Sequence, residues 1–194
     1  MLKFEREFIQ LTDQAAFKTA GDWLKSCVKP CSYVESEDGL IIHGDVDVKY
    51  IHTQLPINIA RVHGKFETSN DSNELKTLKN CPKYVSKIYE VKNYSFDDLS
   101  DGPIGVQSLY VKTLNSFKFL PKQCERFSLW QDIPPKFLLN VLLIENLSMF
   151  SAGSALMEPY WAHVIHDAVK DKTPIYEVAA ILIEQGYSDD VVCV

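Results

Sequence analysis

The chain has 194 residues, 46% hydrophobic and 24% charged, a composition typical of a folded protein rather than a disordered one. Its formal net charge of −6 excludes a generally basic nucleic-acid-binding protein. No run of about 18 apolar residues occurs, and acids stand among residues 1–7, where a signal peptide needs a basic end. We therefore expect a cytoplasmic protein with no membrane span.

Residues 1–32 predict an N-terminal helical cap. Apolar side chains recur at steps of three and four residues from Ala16 to Cys27, which is the period of one buried helix face. Asp13 is a suitable residue to cap the start of this helix, and Pro30 marks its end.

A spacing of leucine and proline recurs through the middle of the chain. The rule is L-x-x-L-x-x-x-P-x-x-h-x-x-h, where h is apolar, and it is found around Pro82, Pro103 and Pro121. Partial versions surround Pro56 and Pro135. A period of about 20 residues is typical of a leucine-rich-repeat-like solenoid, in which each unit adds one short strand and stacked units share a core. An antiparallel sandwich is the alternative, but it does not explain the recurring spacing.

The C-terminal part of the chain predicts two helices, over 160–169 and 174–185. Thr173 and Pro174 suit the start of the second helix, and Gly186 suits its end. The acids of this part outnumber its lysines, which gives it a net charge of about −5 at neutral pH. The predicted fold class is thus α+β: a short leucine-rich-repeat-like solenoid sheet (33–150) between an N-terminal helical cap (1–32) and an acidic C-terminal helical module (151–194).

Three segments carry a resemblance to a known family. Residues 37–48 contain D-G followed by G-D-V-D-V, residues 55–70 contain L-P and then V-x-G-x-F-x-x-S-N, and residues 75–85 read L-x-x-L-x-x-C-P-x-x-V. In these segments the chain resembles the degenerate leucine-rich-repeat-like proteins encoded by tailed, T4-like bacteriophages. The Gly-Gly-Asp-Phe typical of that family after the valine is replaced here by residues 86–89. The resemblance implies a phage origin and a binding scaffold with no catalytic residues to transfer.

Strand alternation predicts which side chains face outward from the solenoid sheet. Counting from each repeat proline places a set of basic and aromatic residues on the open face: Arg61, His63, Lys65, Lys87, Tyr89, Tyr110, Lys112, Arg126 and Trp130. The same count makes Val91 outward, and it places Asn140, Leu142 and Ile144 outward in a last strand. It buries Glu90, and it leaves the outward set without an acid.

A basic and aromatic face in an acidic protein predicts a partner-binding surface. Arginine and aromatic side chains are common at binding hot spots, and a basic field steers an acidic partner. We expect a non-enzymatic scaffold that binds an acidic surface of a host protein in the host cell cytoplasm, and that inhibits or redirects it. The alternatives are a virion or assembly component, a binder of single-stranded nucleic acid, and a face covered by the C-terminal helices or by a second protomer in a homodimer.

Residue types that could support catalysis or metal binding do not form a convincing pattern. His163 and His166 stand at i and i+3 on a predicted helix, but no third ligand accompanies them. Cys27 and Cys31 lack a second pair at zinc-site spacing, and the odd number of cysteines, five, predicts reduced thiols rather than a disulfide framework. Without a phosphate-binding loop or a nucleophile motif, we expect no metal, no cofactor and no enzymatic activity.

Overall fold

The computed structural model describes residues 24, 27, 32–48, 54–68, 75–154 and 157–191, with the side chains of 92–94 excepted. The strands are β1 (Ser32–Ser36), β2 (Gly39–His43), β3 (Val46–Asp47), β4 (Ile59–Val62), β5 (Phe66–Glu67), β6 (Tyr84–Phe96), β7 (Gly105–Leu114), β8 (Gln123–Leu129) and β9 (Met149–Ala152). A 3-10 helix (Leu138–Leu143) precedes β9, and two α-helices follow it, α1 (Tyr160–Asp171) and α2 (Ile175–Glu184). Within these residues, neither α-helix has the length and apolar character needed to cross a bilayer.

The strands form one sheet that winds as a solenoid of about five turns. Their order is β1-β2-β4-β6-β7-β8-β9, with β3 and β5 continuing the second and third strands of this row. Only β1 is antiparallel to its neighbour; the other pairings are parallel. The prediction of a short solenoid accompanied by helices is confirmed, and the antiparallel sandwich is wrong.

The repeat prolines mark the corners at which each turn enters its strand. Pro82, Pro103 and Pro121 are buried just ahead of β6, β7 and β8, where a missing N–H removes no bond from the sheet. The residue two positions before each proline has a left-handed backbone, with φ between 57° and 67°: Asn80, Asp101 and Phe119. The left-handed residue and the proline together turn the chain into the sheet.

Stacked columns of apolar side chains form the core. The longest column runs across six strands, from Val46 and Phe66 through Tyr89, Leu109 and Phe127 to Phe150, all at most 1% exposed. Each large side chain buried in this way stabilises the fold by roughly 1.5–3 kcal/mol. No single turn could bury its own face, so the turns are stable only as a stack.

A β-bulge in β6 changes the alternation that the sequence predicts. Val85 of β6 pairs with Val106 of β7, and Ile88 pairs with Ser108. Between these two pairs β6 advances by three residues, whereas β7 advances by two. The extra residue of β6 shifts every later side chain to the opposite face. Tyr89 is therefore buried (0% exposed), and Glu90 faces outward. The predictions that Tyr89 and Val91 face outward and that Glu90 is buried are wrong.

The last predicted repeat is also different. The segment after Pro135 forms the 3-10 helix rather than a strand, and Asn140 and Ile144, predicted outward, are buried. The strand that pairs with β8 is β9, which starts 14 residues after Pro135 and extends past the predicted boundary at 150. The 3-10 helix forms because its apolar residues lie under α1 and α2 rather than beside β8.

The C-terminal helices cover the end of the solenoid. Helix α1 packs mainly on β9 and the 3-10 helix, and α2 packs mainly on α1 and the 3-10 helix. Trp161 is buried at this junction, and its indole Nε1 donates a hydrogen bond to the carbonyl of Asp132 at 3.1 Å. The helices therefore do not supply the predicted cover of the sheet face. At the other end, Leu24 and Cys27 are helical and buried; the rest of the predicted N-terminal cap lies outside the described residues, apart from Ser32 in β1.

Candidate protein-binding face

The outward side of the sheet presents most of the residues that the sequence singles out. Arg61, His63, Lys87, Lys112, Arg126 and Trp130 are exposed, and Lys65 and Tyr110 are half-buried in outward positions. Tyr89 alone is absent from the face, because it belongs to the core. We call the outward side of β2 to β9 the sheet face.

An arginine–tyrosine pair lies at the start of the strands. Arg61 of β4 and Tyr84 of β6 are direct register partners, and the guanidinium carbon lies 4.9 Å from the centre of the tyrosine ring. Stacking of this kind holds the guanidinium flat while its edge keeps hydrogen-bond donors for a ligand. Sequence reasoning missed Tyr84, whose position two residues after Pro82 was not included in the outward count.

Two imidazoles stack beside this pair. The rings of His43 and His63 lie 4.8 Å apart between centres and are inclined by 10°. Their spacing is that of neighbouring parallel strands, so the solenoid itself places them face to face. Both side chains are exposed, which leaves their ring edges accessible.

A groove of about 390 Å³ crosses the sheet face next to these residues. Arg61, His63 and Tyr84 line one part of it, and Gln107 and Glu125 line another. The Gln107 amide donates to the Glu125 carboxylate at 3.3 Å. The floor is open because Gly105, in register with Tyr84, has no side chain.

Besides Glu125 in the groove, a row of acids occupies the opposite end of the strands. Asp47, Glu67 and Glu90 are register partners on β3, β5 and β6, so three carboxylates follow one another across the sheet. Lys65 Nζ lies 3.7 Å from Glu67 Oε1. The prediction of an outward set without an acid is therefore wrong: the β6 bulge exposes Glu90, and the alternation of the second turn continues beyond Lys65 to Glu67.

Cys81 and Cys124 are not suited to nucleophilic chemistry. Burial raises the pKa of the Cys81 thiol to about 12 and that of Cys124 to about 11, so both remain protonated near neutral pH. Burial also raises the pKa of Tyr89. These groups belong to the core under the face.

The two histidines of α1 have partners of their own. His166 Nδ1 lies 2.6 Å from the Phe150 carbonyl oxygen, and His163 Nδ1 lies 3.3 Å from Glu158 Oε2. Among the residues that the structure describes, no cluster of three or more histidine, cysteine or acidic side chains is arranged to hold a metal ion. Comparison with family models, with curated proteins and with solved structures gives no match for this chain.

Proposed function

We propose that this chain is a non-enzymatic protein-binding scaffold of the leucine-rich-repeat type, and that the sheet face is its binding surface. The observation that carries the proposal is the Arg61–Tyr84 pair, which stands with the His43–His63 stack above a groove on a rigid sheet. Arginine, tyrosine and tryptophan are the side chains most often found at binding hot spots.

Rigidity supports this use of the face. The strands from β2 to β9 are bonded to one another through their backbones, and a contiguous core of buried apolar side chains lies beneath them. A preorganised surface loses little conformational entropy when it binds, so more of the contact energy appears as affinity.

The charge pattern favours a protein partner over nucleic acid. Arg61, Lys87 and Arg126 are exposed nearer the start of the strands and would attract acidic groups. The carboxylates of Asp47, Glu67 and Glu90 would repel a phosphate backbone laid along the other end of the strands. A protein partner can offer acidic side chains to the three basic residues and hydrogen-bond donors to the three carboxylates.

The resemblance to phage proteins gives the partner its proposed source. We place the partner in the infected host cell, as a protein that the scaffold inhibits or redirects. A role in the virion or its assembly would use the same face, and abundance of the chain in purified particles would indicate that role instead.

Charge reversal tests the face. A triple variant with Arg61→Glu, Lys87→Glu and Arg126→Glu is compared with a matched triple, Lys122→Glu, Lys170→Glu and Lys172→Glu, whose exposed lysines lie off the face. Proteins captured from infected cells by the native chain are identified, purified and titrated against each variant. We expect the face triple to weaken binding at least tenfold and the matched triple to leave it within about threefold, because exposed charges beyond a Debye length are screened.

Circular dichroism and thermal unfolding establish that both variants fold. A folded face triple that binds the captured protein as tightly as the native chain would exclude the sheet face as the binding surface. Steeply salt-dependent binding of an oligonucleotide, lost in the same triple, would replace the protein partner with nucleic acid.

A further inference from the structure

A second, smaller pocket lies where β8 and β9 end. Its volume is about 310 Å³, and it is lined by Trp130, Gly153 and Glu158 together with three serines and the apolar Leu129 and Ala152. The Trp130 side chain is 59% exposed and forms one wall. The hydroxyls of Ser128 and Ser151 lie 3.0 Å apart on the sheet beneath.

Glu158 lacks one hydrogen-bond partner. Its Oε2 is 3.3 Å from His163 Nδ1, whereas its Oε1 is buried and accepts no hydrogen bond from any residue that the structure describes. A buried carboxylate oxygen without a donor is costly, and such atoms in native proteins generally meet a donor that belongs to water, an ion or a ligand. Glu158 lines the pocket and its side chain is 29% exposed, so a cationic donor that enters the pocket can reach this carboxylate.

The loops around the pocket are held in place by Asp132. Its Oδ1 accepts a hydrogen bond from the Ser154 backbone at 3.1 Å, and its carbonyl accepts the Trp161 indole bond. Gly153 has φ of 116°, and a Cβ there would lie 2.5 Å from the Met157 carbonyl oxygen. The backbone is thus packed too closely for a side chain at Gly153, and the space beside Trp130 is preformed.

An indole and a carboxylate that line the same pocket are suited to binding a cation. The ring attracts a guanidinium or ammonium group electrostatically, and the carboxylate accepts charge-assisted hydrogen bonds from it. Asp132, exposed at the same loop, adds negative potential.

We propose that this pocket binds a cationic side chain, an arginine or a lysine, of the protein partner. The proposal rests on the proposed function, since it names one group that the partner contributes. It places Trp130, predicted from the sequence as a binding residue, in a recognition pocket distinct from the Arg61–Tyr84 groove. Arginine is the better fit, because its planar group can stack on the indole while its edge donates to the carboxylate.

The test uses small probes and the full chain, so it requires no partner. N-acetyl-argininamide is titrated into the ¹⁵N-labelled protein, with N-acetyl-citrullinamide as a neutral probe of the same shape. We expect the arginine probe to shift the Trp130 indole and Ser154 amide signals with saturation, and the citrulline probe to bind at least tenfold more weakly. The lysine counterpart shows which cation is preferred.

Two variants and a control complete the test. Glu158→Gln and Trp130→Ala should each weaken the arginine probe at least tenfold, and Glu145→Gln, an exposed acid outside the pocket lining, should not change its binding. If Glu158→Gln perturbs the fold, Trp130→Ala still tests the pocket, because the Trp130 side chain is largely exposed and its removal should leave the fold intact. Equal binding of both probes, or unchanged binding to either folded variant, would overturn the proposal. If neither probe binds, the pocket proposal is wrong, but the charge-reversal experiment still tests the sheet face. The two proposals can therefore fail separately.

Discussion

Strands β6 and β7 are neighbours in one sheet, yet they reach their shared core position by different routes. In β6, three residues separate Val85 from Tyr89; in β7, two residues separate Val106 from Leu109, the register partner of Tyr89. Both routes preserve the core column. The extra residue changes the outward positions, where β6 presents Glu90 beside Tyr110 of β7. In this solenoid, one inserted residue leaves the core column unchanged but changes which side chains the surface presents.

The largest effect is expected when one tyrosine of each of these strands is replaced by alanine. Tyr89→Ala should lower the free energy of unfolding by about 3–5 kcal/mol, because it empties the centre of the core column. Tyr110→Ala, half-buried on the face, should lower it by about 1 kcal/mol or less. Denaturant unfolding measures both. Similar values for the two variants would show that Tyr89 does not fill the core column.

Alkaline pH gives an intermediate effect. The pKa values of Cys81 and Cys124 are raised from 9.0 to about 12 and about 11. Above pH 9 the unfolded thiols lose protons that the folded thiols keep, so stability falls as pH rises, by up to about 1.4 kcal/mol per pH unit for each thiol.

Denaturant unfolding between pH 8 and 10 measures this slope. Cys81→Ala, although less stable at pH 8, should show a shallower slope than the native chain. An identical slope in the variant would mean that the Cys81 thiol is reached by solvent in the fold.

The smallest effect is expected where β6 and β7 begin. A Cβ at Gly105 would lie 3.1 Å from Tyr84 Cδ1, so Gly105→Ala should displace the tyrosine ring from Arg61. We expect a stability change within about 1 kcal/mol and a weakening of the nuclear Overhauser contacts between the arginine and the ring, because the ring has to move by a few tenths of an ångström. Ser86→Ala, in the same groove, serves as the control and should keep those contacts. Persistence of the contacts in Gly105→Ala would show that the ring has room to stay.

The repeat spacing predicts the solenoid, and the simple alternation predicts the exposed positions of Lys112, Arg126 and Trp130, although Ser108, counted outward in β7, is buried. It fails in β6 because the repeat rule places Ile88 at the second core position, whereas β6 has one extra residue and buries Tyr89 there. Ile88 and Tyr89 are both apolar enough for that position, so composition does not choose between them. The signal that could have decided was Glu90, since a buried carboxylate without a partner is costly.

Other features depend on contacts between distant segments. The 3-10 helix after Pro135 depends on helices α1 and α2, which begin more than 15 residues later. Its sequence signal was present, because Ser128 and Gln131 stand where the repeat rule requires leucine. The position of Glu158 beside Trp130 has no comparable signal, since it arises only when the two loops meet at Asp132.

The spacing of the parallel strands also sets how much partner the sheet face can accommodate. Strands β2, β4, β6, β7, β8 and β9 lie side by side, and at about 4.8 Å per step they span about 24 Å. The outward run of β6 from Tyr84 to Glu90 adds about 20 Å in the other direction. This footprint of roughly 500 Å² is smaller than the about 800 Å² that each partner contributes to a standard protein interface, so it leaves no room for two partners. We therefore expect a stoichiometry of one partner per chain, which analytical ultracentrifugation of the purified complex would measure.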